Sequence, residues 1–257
     1  MLPLPLPYPV TDVHVHVQKP EDIDPMVERG ARYGITRFGI SAVFVGCHYP
    51  TPDQCRKGND IVLASRDRQP DASLPFCYVN PRHTAEAVAE MDRCVVEHGM
   101  VGIKLWIAAK ASEDCVVPVA ERAAELGVPV LQHTWYKVVS GYEHESTPAD
   151  LAVLARRVPQ CTLIMAHLFG GGQRGIADIA DCPNIIADCC GGEPEVGRLE
   201  EAVARLGPER IVYGSDGAGR SFATQIGKVF GALIPDDAKR LILSTNAERL
   251  FAGKGQL

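Results

Sequence analysis

The stretch TDVHVHV, residues 11–17, sets two imidazoles two positions apart in an otherwise apolar run. Side chains alternate along a strand, so this spacing predicts His14, His16 and Asp12 on one face and Val13, Val15 and Val17 on the other. The valine face suits packing against helices. The imidazole face needs partners, because an unpaired polar group away from water costs free energy. Two neutral imidazoles side by side can grip a divalent metal ion, or they can be hydrogen-bonded residues at a rim. A lone His-X-His does not choose between the two.

Four further residues sit where apolar runs end: Lys104 in GIKLW, His133 in LQHTW, His167 in MAHLFGGG and Asp216 in YGSDGAGR. Each has an ordinary reading as a rim histidine, a surface lysine or a helix cap. Their convergence on one rim favours a metal site. Around them His48, Tyr49, Trp135, Tyr136, Lys137 and Arg220 are candidates for substrate contact, with solvent exposure the better reading for His48 and Lys137. Asp188 in IIADCC reads as internal hydrogen-bonding support more readily than as a ligand. The segment EHESTPAD, 143–150, reads as a loop entering a capped helix, with Glu143 or His144 able to lean over the site.

The elements that must position these residues recur regularly. Apolar runs at 11–17, 35–45, 74–80, 100–107, 128–135, 161–169, 184–190 and 210–216 read as eight strands, most of them apolar on both faces as buried parallel strands are. Helical patterns fall between them at 83–99, 116–127, 147–159 and 193–207, with Gly at several C-termini and a Thr-Pro-x-Asp start at 147. Eight strand–helix alternations predict a (β/α)8 barrel, whose active site gathers at the C-terminal ends of the strands. LFGGGQRG, 168–175, lacks the spacing of a dinucleotide loop and follows the sixth run, which counts against an open doubly wound sheet. One domain over 1–257 is expected, with 1–10 as an extended arm.

The chain resembles the amidohydrolase superfamily, in its family-2 branch, along nearly its whole length. The resemblance rests on DVHVH, GIKLW, the histidines closing the fifth and sixth strands, YGSD and the terminal STNAERLF, 244–251. It implies that His14, His16, His133 and Asp216 hold a catalytic ion, zinc or a related metal. It gives His167 a split role, as ligand to a second ion or as a substrate contact and catalytic group. Lys104 would bridge two ions if carboxylated; a single ion, with Lys104 unmodified near the substrate, is preferred. The implied reaction is hydrolysis of an amide, lactam, lactone or ester carbonyl, with Asp216 moving the proton of a metal-acidified water. Non-oxidative decarboxylation of an unsaturated or aromatic acid is the alternative on the same scaffold. A TatD-type nuclease shares the His-X-His and the terminal motif, but carries glutamate where this chain has Lys104. A barrel retained only for binding is disfavoured by ligands at every expected strand end.

A formal net charge of −6 with no basic block argues against nucleic acid, so a small-molecule substrate is expected. No apolar stretch is long enough to span a bilayer, and the proline-broken start lacks the charged region of a secretory signal. Nine scattered cysteines without a C-x-x-C pair point to reduced thiols and a cytoplasmic location, with Cys47 and Cys55 beside a loop where a thiol could react. A homo-oligomer is compatible with the chain, although no interface is legible.

Overall fold

The computed structural model describes residues 6–43, 47–139 and 141–253. Eight parallel strands follow one another around a sheet in sequence order: β1 (Val10–His16), β2 (Ile35–Ser41), β3 (Ser73–Tyr78), β4 (Gly102–Leu105), β5 (Val130–Gln132), β6 (Leu163–Met165), β7 (Ile185–Asp188) and β8 (Ile211–Val212). The seam between first and last is closed by backbone bonds, Val13 N–H to Tyr213 O at 3.0 Å and Asp216 N–H to His14 O at 2.8 Å. The fold is the expected (β/α)8 barrel. Most strands are shorter than their apolar runs, and after β4, β5 and β6 residues such as Trp106, His133 and His167 follow the ladder and line the site. Residues 44 and 45 of the second run, and 1–5 of the arm, lie outside the described residues.

Helices α1 (Ile23–Ala31), α2 (Pro52–Arg68), α3 (Thr84–Asp92), α4 (Val117–Glu125), α5 (Pro148–Arg157), α6 (Leu168–Ile179), α7 (Arg198–Leu206) and α8 (Phe222–Gly231) wrap the sheet, followed by the short α9 (Asp236–Arg240) and α10 (Asn246–Leu250). Thr51 and Thr147 cap α2 and α5 with proline in the first turn, and each completes a capping box with Gln54 or Asp150. The expected helix at 193–207 begins only at Arg198, after Gly197 in a left-handed conformation. The glycine-rich 168–175 is not a loop but the start of α6, kinked at Gly172.

Two apolar layers result. One lies between sheet and helices. The other fills the lower barrel with Val13, Leu74, Phe76, Leu131, Ile164 and Val212, and Phe251 packs against it. Val13 therefore does not share a face with Val15 and Val17, which belong to the outer layer. The reason is a bulge in β1: Asp12 pairs with Phe38 and Val15 with Ile40, three steps on one strand against two on the other. The bulge turns Val13 and His14 to the interior together and parts Asp12 from the two histidines.

Candidate metal centre

Above the lower layer the barrel opens into a cavity of about 810 Å³, whose lining includes His16, Lys104, His133, His167, Asp216 and Arg220. This volume suits a small-molecule ligand. His14 lies just beneath, fully buried. Its Nδ1 faces Asp188 Oδ2 at 2.7 Å, and Asp188 is also fully buried. His16 Nδ1 lies 3.0 Å from the Ser41 hydroxyl. Asp188 as a carboxylate only accepts, so His14 donates from Nδ1 and keeps a lone pair on Nε2, which faces Lys104 Nζ. Ser41 directs its own hydroxyl toward Val15 O, so His16 donates from Nδ1 in the same way. The two Nε2 atoms then meet at 3.2 Å.

Asp216 completes the group, with Oδ1 3.4 Å from His16 Nε2 and 3.8 Å from His14 Nε2. Burial alone would raise its pKa, but the rings of His16, His167 and His14 packed around it hold it well below the usual carboxylate range. Its other oxygen accepts from Arg220 Nε at 2.9 Å. Burial drives the His14 ring strongly toward its neutral form, the form that ligates metal. His14, His16 and Asp216 each offer a ligand atom within 4.8 Å of the others. Nitrogen and carboxylate donors, two of them oriented from behind by Asp188 and Ser41, fit a divalent transition metal.

Lys104, on β4, is fully enclosed with Nζ 3.0 Å from His14 Nε2. Its pKa is lowered to about 8, chiefly by burial. A cation at His14 and a Lys104 ammonium compete for one lone pair, and the lowered pKa eases the loss of the proton that ion binding would require. The backbone is strained at two site residues. His167 (φ 69°) and Asp216 (φ 59°) are the non-glycine residues with positive φ among the described residues.

The remaining candidates separate. His133 and His167 meet, Nδ1 to Nε2 at 3.0 Å, but His133 stands outside the His14–His16–Asp216 group, its Nε2 turned to Glu145 Oε1 at 2.7 Å. Trp135 lines the cavity and packs on Gly170, where a Cβ would come within 2.7 Å of the indole. Arg220 lies over the Trp135 ring, 5.5 Å from its centroid. His48 packs edge-on against Tyr142 and Trp106, which line the cavity. Tyr136 corrects the expectation of a substrate contact: its hydroxyl donates to Asp178 on α6 at 2.6 Å, outside the cavity lining. Lys137 is exposed, as expected, and also lines the cavity. Glu143 stays exposed and His144 pairs with Glu113, so neither leans over the site; the residue of that segment that reaches a cavity residue is Glu145, against His133. Cys55 is buried with its thiol pushed up to about 12, which removes it as a reactive thiolate.

Two functional neighbours were not legible in the sequence. Glu145 comes from a loop with no periodicity. Cys190 Sγ stands 3.0 Å from Asp188 Oδ2 and 3.2 Å from His167 Nδ1, and its neighbours in the sequence give a thiol only an apolar reading.

A family model described as amidohydrolase matches residues 11–253. Among solved structures, a 2,6-dihydroxybenzoate decarboxylase from Rhizobium is similar with a TM-score of 0.76 at 15% identity, over 94% of this chain and 98% of that one. A dihydroxybenzoic acid decarboxylase from Polaromonas, with bound manganese and the inhibitor 2-nitroresorcinol, gives 0.71 at 17% identity over 90% and 84%. A 4-oxalomesaconate hydratase from Rhodopseudomonas palustris gives 0.68 at 14% identity over 94% and 95%. No curated protein sequence matches.

Proposed function

The chain belongs to the amidohydrolase family, and we propose that it is a hydrolase holding one divalent ion, zinc in the first instance, at His14, His16 and Asp216. The observation that carries this reading is the pair of Nε2 lone pairs facing each other at 3.2 Å beside an ionised carboxylate. Lys104 Nζ meets only the His14 nitrogen of this group, and a divalent cation would meet both nitrogens and the carboxylate together.

When bound, the ion supplies acidified water and polarisation of a substrate carbonyl. Asp216 is the group placed to take a proton from the nucleophile and return it to the leaving group. Arg220 and Lys137, both on the lining, supply positive charge for an anionic part of the substrate. Trp106 and Trp135 provide flat apolar walls that exclude water. Lys104, buried against His14, stands within reach of the same space.

Those walls and cations also favour a second reading, decarboxylation of a planar unsaturated or aromatic acid. In that case the acid group beside the ion protonates carbon in place of a heteroatom. Incubation with lactones, amides and carboxylated rings, read by product mass and carbon dioxide release, separates the two. Ring-opened or cleaved product without carbon dioxide supports hydrolysis, and carbon dioxide release overturns it.

No helix of the described residues is long and apolar enough to cross a membrane. The nine cysteines are unpaired, which fits a reducing compartment, and we place the enzyme in the cytoplasm.

A further inference from the structure

We propose that Glu145 is a positioning residue that fixes which nitrogen of His133, and through it of His167, carries the proton. Glu145 lies in the loop between β5 and α5 and is buried, with its side chain only 5% exposed. Its Oε1 faces two donors, His133 Nε2 at 2.7 Å and Lys137 Nζ at 2.8 Å. Beside an ammonium this carboxylate acts only as an acceptor, so His133 donates from Nε2.

A neutral imidazole with its proton on Nε2 keeps a lone pair on Nδ1. His133 Nδ1 lies 3.0 Å from His167 Nε2, so His167 in turn donates from Nε2. Its Nδ1 is left bare, 3.2 Å from Cys190 Sγ and 3.9 Å from Asp216 Oδ2. One carboxylate thus sets a direction through two rings, with N–H groups toward the loop and lone pairs toward the metal centre. Asp188 does the same for His14 from the opposite side of the cavity floor. The left-handed backbone of His167 holds its ring in line, and Gly191 packs so closely that a Cβ there would meet the His167 Cβ at 2.6 Å.

The alternative is that Glu145 only ties down its loop through Lys137. The two differ in what they do to the rings. The proposal deepens the reading of the cavity as an active site and rests on it for its catalytic meaning, but its test requires no substrate.

The experiment is long-range proton–nitrogen NMR of the histidine rings in the full chain, with and without added zinc chloride, assigned by single-site variants. Wild-type protein is expected to show His133 and His167 with a protonated Nε2 and a bare Nδ1. In Glu145→Gln, which keeps the shape, the His133 signals should move toward the other tautomer, and those of His167 should follow. Glu145→Asp should restore the wild-type pattern at least in part, and Lys137→Met should preserve it. A His133 proton on Nδ1 in wild-type protein, or ring signals unchanged in both Glu145→Gln and Glu145→Ala, overturns the proposal. Zinc-induced shifts at His14 and His16 report on the metal centre separately, so failure of one reading is distinguishable from failure of the other.

Discussion

Two buried polar clusters in this barrel answer the same physical problem in opposite ways. Under α2 and α3, Glu90 accepts from Asn59 Nδ2 at 2.9 Å, from Arg93 Nε at 2.9 Å and Nη2 at 2.6 Å, and from the Cys94 thiol at 3.3 Å. Asn59 closes the circle by pairing with both the N–H and the C=O of Tyr78. Charges and hydrogen bonds are matched within the cluster itself. At the C-terminal end of the barrel, His14 and His16 turn nitrogens toward each other and toward Asp216. Lys104 Nζ reaches only the His14 nitrogen, so a cation the chain does not supply is needed to meet all three groups. A closed network stabilises, whereas an open one binds.

The sharpest way to break this contrast is to remove the histidines. His14→Ala combined with His16→Ala should abolish tight binding of the divalent ion and activity, while circular dichroism shows an intact barrel. Elemental analysis that finds the ion fully retained would remove the assignment. Next in size is Asp216→Asn, which keeps the shape but not the base. It should lower kcat by roughly 100-fold with little change in KM, the range typical of a lost general base. Near-wild-type turnover on any substrate found would end the proposed role.

A smaller effect is expected from behind the ligands. Asp188 fits because residue 214 is glycine; a Cβ there would lie 2.2 Å from Asp188 Oδ1. Both Asp188→Asn and Gly214→Ala should weaken zinc by about 10- to 100-fold, as loss of an orienting partner does. Calorimetric titration that gives wild-type affinity for both would show that His14 orients itself without them.

How much of this could be read from the chain follows from where each residue sits. His14, His16, Lys104, His167 and Asp216 stand at strand ends, and the barrel makes a strand end a place in space. Asp188 was legible as support because it lies on a strand in an apolar run. The bulge at Val13 was not legible, since Val-His-Val satisfies strict alternation, and the extra residue is set by pairing with β2. Glu145 and Tyr136 show the limit most clearly. Both belong to the segment after β5, whose path is fixed by tertiary contacts such as Tyr136–Asp178 and Glu145–Lys137 and not by any local period. The same limit applied to helix starts: threonine and proline located α5, while α7 waits for Gly197 and α2, which begins in the same way at Thr51, went unread.

The closed cluster offers the smallest effect and the cleanest control. Burial alone would raise the Glu90 pKa, but hydrogen bonds from Arg93, Asn59 and Cys94 outweigh it and hold the carboxyl below the usual glutamate range. A depressed carboxylate adds stability above its unfolded value of about 4.3, and that contribution fades as pH falls through the lower folded value. Glu90→Gln keeps an acceptor oxygen and removes the charge, so it should cost about 1–2 kcal/mol at pH 7, the scale of a charge-assisted bond made neutral. Urea unfolding at a series of pH values should show wild type and variant apart at pH 7 and converging below about pH 4. Other carboxylates titrate equally in both proteins, so the difference isolates Glu90. Zinc affinity should be the same in both, because none of the partners of Glu90 is His14, His16 or Asp216. A constant stability gap down to pH 2 would show that the Gln side chain disturbs packing and that charge is not the cause. A loss of zinc affinity would erase the distinction between the two clusters.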